Sequence, residues 1–317
     1  MHHGWRLMIR LIFQEWERWQ IFWRSSTNSG TLSSPGTPSG LEPKMQHLIS
    51  FDRSIAPFAL VPTMGALHEG HLALIKKARE CSEQVLVSVF INPTQFESIA
   101  DLENYPKTLT SDLELAAKAG ADYLWSPTVA EIYPEGMSKV DMISAGPIGD
   151  LYEGASRPNH FSGVLTVINR LFMITNPRCA IFGEKDFQQL FLINQFAREH
   201  FPQIKILSGE TLRDGDGIAL SSRNSRLNNH ELEIAKVFPR TQSAARGSRT
   251  VHELKSSVMQ VCLAEAGFTL DYVEVVSPID LLPVAEDFQG QVRVLLAGWI
   301  GSVRLIDNFA FEIEGRI

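Results

Sequence analysis

The chain has no excess of positive charge and few cysteines, and these shortages exclude several classes of protein. It has 29 Lys or Arg against 36 Asp or Glu in 317 residues, a formal net charge of −7. Surfaces that follow nucleic acid need clustered Lys and Arg, so we expect no nucleic acid partner. The three cysteines, Cys81, Cys179 and Cys262, lie far apart without CxxC or zinc-ligand spacing. This pattern predicts separate buried thiols, a reducing compartment and a cytoplasmic protein.

The sequence also lacks an apolar run long enough to cross a membrane, even in its unusual first 44 residues. That region starts with the Trp- and Arg-rich GWRLMIRLIFQEWERWQIFWRSS and continues into TNSGTLSSPGTPSG. Charges such as Arg10 and Glu15 interrupt the apolar stretch well before the ~20 residues of a membrane span. We expect residues 1–44 to be a disordered leader and linker, with no membrane partner. A start codon upstream of the true one and an amphipathic targeting or membrane-surface segment are the alternatives.

From Met45 onwards, strand and helix patterns alternate. FALVPT (58–63) and the β-branched QVLVSVFIN (84–92) predict strands, and GHLALIKKARECSE between them has helical spacing, so the three predict a βαβ unit. Further strands are predicted at ADYLWSP (121–127) and CAIFGEK (179–185), with a helix at DFQQLFLINQFAREH. This order predicts an α/β fold over residues 45–210, a Rossmann-like parallel sheet with helices on both faces.

The pattern changes after Gly209. Two predicted helices, at about 228–245 and 250–266, precede the strand patterns LDYVEVVS and VRVLLAGWIGSVRLID. Segregated helices and strands are typical of an α+β arrangement. We therefore expect residues 211–317 to form a smaller C-terminal α+β domain that acts as a lid.

The stretch VPTMGALHEGHLAL (61–74) places two histidines three apart, directly after the first predicted strand of the sheet. Loops at this end of parallel strands bind ligands in doubly wound folds, and the N-terminus of the next helix attracts anions. Gly65 and Gly70 allow close approach to a phosphate, and His68 and His71 can point the same way. A phosphate site is predicted, against the alternative that H-x-G-H ends a buried strand by chance. Zinc is disfavoured, because a zinc-protease helix needs H-E-x-x-H.

Three other polar stretches follow predicted strands or lie in polar loops: FINPTQFES, FGEKDFQQL (182–190) and DGIALSSRNSRL (216–227). Neutral amides suit a small polar substrate, whereas Lys and Arg can neutralise a triphosphate and Ser hydroxyls add donors without charge. Taken singly, each residue also fits a turn amide, a solvated charge or a helix cap. The candidates are Asn92, Gln95, Gly183, Lys185, Asp186, Gln189, Ser222 and Arg223.

These stretches together match one known family in order and approximate spacing, across about residues 45 to 310. The matching pieces are VPTMGALHEGH, NPTQF, YPKTL, EIYPEG, LYEGASRPNHFSGVLTV, FGEKDFQQL, DGIALSSRN and RLIDN. By these pieces the chain resembles the pantothenate synthetase (pantoate–β-alanine ligase) family of the H-x-G-H nucleotidylyltransferase superfamily. The resemblance implies that ATP and pantoate form pantoyl adenylate and pyrophosphate, and that β-alanine then attacks the acyl carbon. The products would be pantothenate, which leads to coenzyme A, and AMP.

The resemblance also implies residue roles. ATP would be bound by Met64, Gly65, Ala66, Leu67, His68, Glu69, Gly70, His71, Gly183, Glu184, Lys185, Asp186, Leu212, Leu220, Ser221, Ser222 and Arg223. The catalytic residues among these would be His68, His71, Lys185, Ser221, Ser222 and Arg223. Pantoate and β-alanine would be bound by Gln95, Gln189, Asn92 and Met64. Mg²⁺ would bridge phosphate oxygens, with Asp112 as its protein ligand. The family likeness further implies a homodimer.

Two rival functions are still open from the sequence. A related cytidylyl- or adenylyltransferase would use the same ATP residues, but it would need a basic acceptor pocket in place of paired glutamines. A non-catalytic binding module would be expected to have lost one of four ATP-site side chains. The sequence keeps all four: His68, His71, Lys185 and Arg223.

Overall fold

A six-stranded parallel sheet forms the larger part of the structure, a computed structural model that describes residues 45–55, 58–96 and 102–314. The predicted leader at 1–44 lies outside the described residues. The strand order is β1-β4-β3-β2-β5-β6. The strands are β1 (Gln46–Leu48), β2 (Ala59–Thr63), β3 (Val85–Val89), β4 (Tyr123–Trp125), β5 (Cys179–Gly183) and β6 (Lys205–Gly209). The predicted parallel α/β fold is thus confirmed, and β2 to β5 lie in the four predicted strands.

Helices cover both faces of this sheet because side chains alternate along each strand. In β2, Ala59 and Val61 belong to one core cluster with α1 and α2, whereas Leu60 belongs to the cluster on the opposite face. The helices are α1 (Glu69–Arg79), α2 (Leu109–Ala119), α3 (Val129–Ile132), α4 (Glu153–Ser156), α5 (His160–Thr175) and α6 (Phe187–His200). Short 3₁₀ turns lie at Pro93–Gln95, Met137–Lys139, Pro147–Asp150 and Glu184–Asp186.

A second hydrophobic core is built from residues between Ile218 and Ile313. It joins three helices to a three-stranded antiparallel sheet of order β7-β8-β9, so the predicted α+β character of the C-terminal part is confirmed. The domain boundary near residue 210 and the lid role stay predictions. The elements are a 3₁₀ turn (Ser222–Arg226), α7 (Asn229–Ala235), α8 (Val237–Ala245), α9 (Val251–Ala264), β7 (Phe268–Val276), β8 (Gly290–Ile300) and β9 (Val303–Ile313).

Two segments that the sequence patterns treat as single units each form two elements in the structure. The pattern at 228–245 is two helices, because α7 ends and α8 begins around Lys236. The long apolar pattern VRVLLAGWIGSVRLID is a hairpin of β8 and β9, and it turns at Gly301, whose φ is +55°. Within the described residues, no helix combines the length and the apolar character that crossing a membrane requires.

The prediction of three separate thiols is wrong for two of them. Cys81 and Cys179 form a disulfide across a sequence separation of 98 residues, whereas Cys262 is a free, buried thiol. Cys81 comes just after α1, and Cys179 begins β5, the strand on which α1 packs. Their proximity is a product of the fold and leaves no trace in the spacing of the cysteines.

Candidate active site

A cavity of about 250 Å³ lies at the carboxyl ends of β2 and β5. The chain continues from β2 through β3 and β4 toward one side of the sheet, and from β5 to β6 toward the other. The loops after β2 and β5 therefore diverge and leave a crevice, where doubly wound sheets bind ligands. The predicted residues that line it are Met64, His68, Gly70, His71, Asn92, Gln95, Gly183, Lys185, Asp186, Gln189, Leu212, Leu220, Ser221, Ser222 and Arg223.

Six predicted residues do not belong to this lining: Gly65, Ala66, Leu67, Glu69, Glu184 and Asp112. Gly65 and Ala66 shape the loop after β2, since both have a left-handed backbone with φ of +85° and +51°. A Cβ at position 65 would lie 3.0 Å from Asp112 Oδ2, so glycine suits this position in both conformation and space. Gly65 and Ala66 thus set the path of the backbone that leads to His68.

Asp112, predicted as a metal ligand, has a different place in the structure. Its side chain is buried on α2, and its carboxylate accepts the backbone N–H groups of Ala66 (3.1 Å) and Leu67 (2.8 Å). The Thr108 hydroxyl donates to the same carboxylate at 3.2 Å. The geometry thus gives Asp112 a structural role: it supports the left-handed loop from behind, and its oxygens already have partners. Its role as a metal ligand stays a prediction.

We expect Asp112→Ala to lower the free energy of unfolding by about 1–3 kcal/mol, because it leaves two backbone N–H groups without an acceptor. Urea denaturation measures this loss, and Glu114→Gln, an exposed change on the same helix, is the control. The Mg²⁺ concentration that gives half-maximal activity should stay the same in the mutant. A shifted Mg²⁺ requirement with unchanged stability would restore the metal-ligand interpretation.

The two histidines are fixed by the start of α1. His68 Nδ1 accepts the N–H of Gly70 (3.2 Å), and His71 Nδ1 accepts the N–H of His68 (3.3 Å). Since each Nδ1 is an acceptor, the neutral rings carry their proton on Nε2, which remains available as a donor. A Cβ at Gly70 would lie 2.8 Å from His68 Cε1. The glycine of H-x-G-H is therefore needed because the first histidine folds back over it.

Both imidazoles are neutral near pH 7. Burial lowers the pKa of His68, and Lys185 lowers it further. Burial and the neighbouring His68 lower the pKa of His71 to about 3. The ring centroids are 4.1 Å apart, which places two neutral N–H donors side by side. This pair can hydrogen-bond to phosphate oxygens, while the positive charge of the cleft comes from other residues.

That charge comes from the second and third predicted segments. Lys185 Nζ lies 3.9 Å from Asp186 Oδ1 in the turn that follows β5. Burial opposes ionisation of Asp186, but Lys185 and then Arg223 outweigh it and hold the pKa of this carboxyl below its usual value. Ser221 accepts the backbone N–H of Arg223 (3.2 Å) and so caps the 3₁₀ turn. The second and third segments thus bring Lys185, Arg223 and the ionised carboxylate of Asp186 to the cleft, which Arg157 and Glu210 also line.

Among the amides of the cleft, Asn92 bonds mainly to the protein itself. Its side chain is buried and already bonded at both ends: Nδ2 donates to Gln95 Oε1 (3.1 Å) and the Gly163 carbonyl (3.2 Å), and Oδ1 accepts from Tyr133 (2.9 Å). Asn92 therefore orients Gln95, and direct binding of substrate by Asn92, which also lines the cleft, stays a prediction. Gln189 on α6 lies in the same lining as Gln95.

Sequence reasoning missed Arg157 and His160, although the motif that contains them was part of the resemblance. Arg157 donates to His160 Nε2 (3.1 Å), so the neutral ring donates from Nδ1 to the Gln95 carbonyl (3.0 Å). Burial and Arg157 lower the pKa of His160 to about 3. Arg157 and His160 thus hold the backbone of Gln95. An apolar wall beside the amides was missed as well: Pro62, Val164, Val167, Ile168, Leu171, Phe182 and Ile193.

The lowered pKa values of His71 and His160 predict how stability depends on pH. Both lie near 3 in the folded protein against an ordinary value of 6.5, so the unfolded chain takes up protons first as the pH falls. Their contribution to the free energy of unfolding is complete above about pH 7 and falls by about 1 kcal/mol per pH unit per histidine below 6.5. Urea denaturation at pH 7, 6 and 5 should show a shallower loss for His160→Asn than for the unmutated chain. Equal slopes would contradict the neutral, buried state of His160.

The sheet and the residues of the cleft together indicate a class of enzyme. A parallel sheet with two neutral histidines at a helix N-terminus in the crevice between its diverging loops, and with Lys185 and Arg223 in the same lining, is typical of nucleotide-binding α/β enzymes of the H-x-G-H type. The sequence model described as Pantoate-beta-alanine ligase matches residues 42–310. The chain belongs to the pantoate–β-alanine ligase family.

Curated relatives agree with this assignment. A pantothenate synthetase of Rhizorhabdus wittichii is 44% identical over 263 residues, which cover 81% of this chain and 92% of that protein. A pantothenate synthetase of Marinobacter nauticus is 42% identical over 256 residues, 79% of this chain and 90% of that protein.

Solved structures are similar too. The pantothenate synthetase of Thermus thermophilus aligns with a TM-score of 0.77 at 38% identity and covers 85% of this chain and 100% of its own. A pantoate–β-alanine ligase of Francisella tularensis, complexed with β-γ ATP and β-alanine, aligns with a TM-score of 0.65 at 38% identity. That alignment covers 80% of this chain and 89% of the other.

Proposed function

We propose that the protein condenses (R)-pantoate with β-alanine in an ATP-dependent ligation, through a pantoyl-adenylate intermediate, with pyrophosphate and AMP as the other products. The observation that carries this proposal is one cleft whose lining combines two kinds of group. We assign the histidine N–H donors, Lys185 and Arg223 to a cationic half, and the amides of Gln95 and Gln189 with the apolar side chains to a neutral half. The family's activity requires both halves, because it joins a triphosphate to a small acid.

The cationic half suits the triphosphate. In the first step the pantoate carboxylate attacks the α-phosphorus, and the bond to the departing pyrophosphate breaks. Negative charge then grows on the phosphate oxygens, where His68, His71 and Lys185 would stabilise it as fixed donors. Arg223 and the hydroxyls of Ser221 and Ser222 would approach from the opposite segment. This chemistry needs positioned donors and no covalent enzyme intermediate.

The neutral half suits pantoate, which carries two methyl groups, two hydroxyls and a carboxylate. Gln95 and Gln189 offer amide donors and acceptors for the polar groups, and the apolar wall formed by α5 and Phe182 fits the methyl groups. In the second step the β-alanine amine attacks the acyl carbon of the adenylate, and AMP leaves.

Mg²⁺ fits the cleft as an ion held mainly by the nucleotide. Within residues 45–55, 58–96 and 102–314, no group of three or more His, Cys, Asp or Glu side chains could bind a metal. Asp186 and Glu210 are acidic side chains of the lining, and Mg²⁺ commonly keeps waters and uses one or two carboxylates with substrate phosphates. When bound, the ion would neutralise part of the phosphate charge. A homodimer and a cytoplasmic location complete the proposal by analogy with the family alone, since the Cys81–Cys179 disulfide removes the support that the cysteine pattern gave to a reducing compartment.

The proposal is tested by identifying the products. Incubation with ATP, Mg²⁺, pantoate and β-alanine should give pantothenate and AMP in equal amounts by mass spectrometry, and omission of any one substrate should abolish pantothenate. Formation of ADP in place of AMP would indicate an acyl phosphate and contradict adenylation. ATP binding without turnover would favour the non-catalytic binding module.

A further inference from the structure

One side chain of the C-terminal sheet bonds directly to the backbone that carries Lys185. Asn308 lies on β9 with 4% of its surface exposed. Its amide nitrogen donates to two successive carbonyls, those of Glu184 (3.0 Å) and Lys185 (2.7 Å). Both amide hydrogens are therefore used on the short 3₁₀ turn Glu184–Asp186, at the edge of the cleft.

The orientation of this amide is fixed by Arg293 on β8. Arg293 Nε donates to Asn308 Oδ1 at 2.7 Å, which leaves the amide nitrogen facing the turn. The Arg293 guanidinium also donates to Glu184 Oε2 (3.3 Å) and lies 4.1 Å from the centre of the Phe187 ring. Ser208 on β6 donates to the other oxygen of Glu184 at 2.9 Å. The turn is thus held through its backbone by Asn308 and through its first side chain by Arg293.

Several other contacts between the two parts of the chain lie away from this turn. Arg304 on β9 pairs with Glu153 on α4 at 2.7 Å, and the Tyr152 hydroxyl donates to the Leu281 carbonyl at 2.8 Å. A small apolar cluster that includes Leu281 and Leu295 packs at the same boundary. These contacts already hold the two parts together. The bonds of Asn308 to the turn therefore have a separate consequence: they fix the position of the backbone from which the Lys185 side chain extends.

We propose that Asn308 is a positioning residue through which the C-terminal sheet places Lys185 in the cleft. This inference rests on the proposed function, in which Lys185 stabilises charge on the nucleotide phosphates. A carbonyl that loses a buried donor turns toward other partners, and the backbone of a three-residue turn moves with it. Displacement of Lys185 by about 1 Å is enough to weaken a positioned donor. Adenylation is therefore expected to depend on a residue that touches neither substrate.

The test is a double-mutant cycle between Asn308→Ala and Lys185→Ala, with ATP–pyrophosphate exchange as the readout. Asn308→Ala alone should lower kcat by about 10-fold and change the KM for pantoate by less than about 2-fold, because the amide half of the cleft is untouched. In the Lys185→Ala background, the same substitution should change the residual rate by less than about 2-fold. Tyr152→Phe, which removes a contact of the same boundary away from the turn, should leave kcat within about 2-fold in both backgrounds.

Asn308→Asp provides a second variant if Asn308→Ala does not fold. The aspartate keeps the size of the side chain and its bond to Arg293, but it places an oxygen against the two carbonyls, and it should show the same non-additive cycle. Additive effects in both cycles, or an unchanged kcat, would overturn the inference. Absence of pantoate-dependent exchange in the unmutated protein would instead refute the proposed function, so the two failures are distinguishable.

Discussion

Lys185→Ala should lower the rate of pantoate-dependent ATP–pyrophosphate exchange by about 100-fold or more, the scale of losing one charge-stabilising donor. Lys185 belongs to the cationic half of the cleft, and its charge is matched to oxygens on which negative charge grows. His71→Ala should have an effect of similar size, because His71 is a half-buried neutral donor held at the start of α1. The KM for pantoate should change much less, since neither residue belongs to the amide half.

A matched control is Lys205→Ala, which removes an exposed lysine from β6, the strand next to β5. Its rate should equal that of the unmutated protein. If Lys185→Ala instead weakened pantoate binding as strongly as it lowered the rate, Lys185 would belong to the pantoate site, and the assignment of the cationic half to ATP would be wrong.

Gln189→Ala should lower kcat/KM for pantoate by about 10- to 100-fold, which corresponds to the 1–3 kcal/mol of an unpaired polar group in a desolvated site. Most of the loss should appear as a higher KM, with part in kcat if the carboxylate is no longer aimed at the α-phosphorus. Gln95→Ala should behave alike, because Asn92 and His160 hold Gln95 in place from behind. ATP affinity, measured by calorimetry, should not change in either mutant.

The control for the glutamines is Gln203→Ala, an exposed change just before β6. A Gln189→Ala enzyme that bound ATP much more weakly and kept the KM for pantoate would contradict the division of the cleft into two halves.

The sequence predicts the lining of the cleft well because its chemistry is local. Each predicted segment follows a strand or lies in a polar loop, and parallel strands bring their carboxyl ends to one edge. His68, His71 and Lys185 therefore meet as expected. The glycine at position 70 is explained only by the structure, since the reason for it is the ring of His68 lying against it.

The structural roles that the sequence did not reveal belong to residues whose partners are distant. The carboxylate of Asp112 bonds to a loop more than 40 positions earlier, and the amide of Asn92 bonds to Gly163. Asn308 lies more than 120 positions after the turn that it holds. Residue type gives the bonding capacity of such a side chain, but only the fold decides whether that capacity serves a substrate or the protein itself.

The exchange of labelled pyrophosphate into ATP tests the central claim most directly, because it reports formation of the adenylate without the second step. The account predicts exchange that requires pantoate and Mg²⁺ and proceeds in the absence of β-alanine. Lys185→Ala should abolish most of it, and Lys205→Ala should not change it. Exchange that strictly required β-alanine would show that adenylation and amide formation are not separate steps, and it would contradict the two-step mechanism assigned to this cleft.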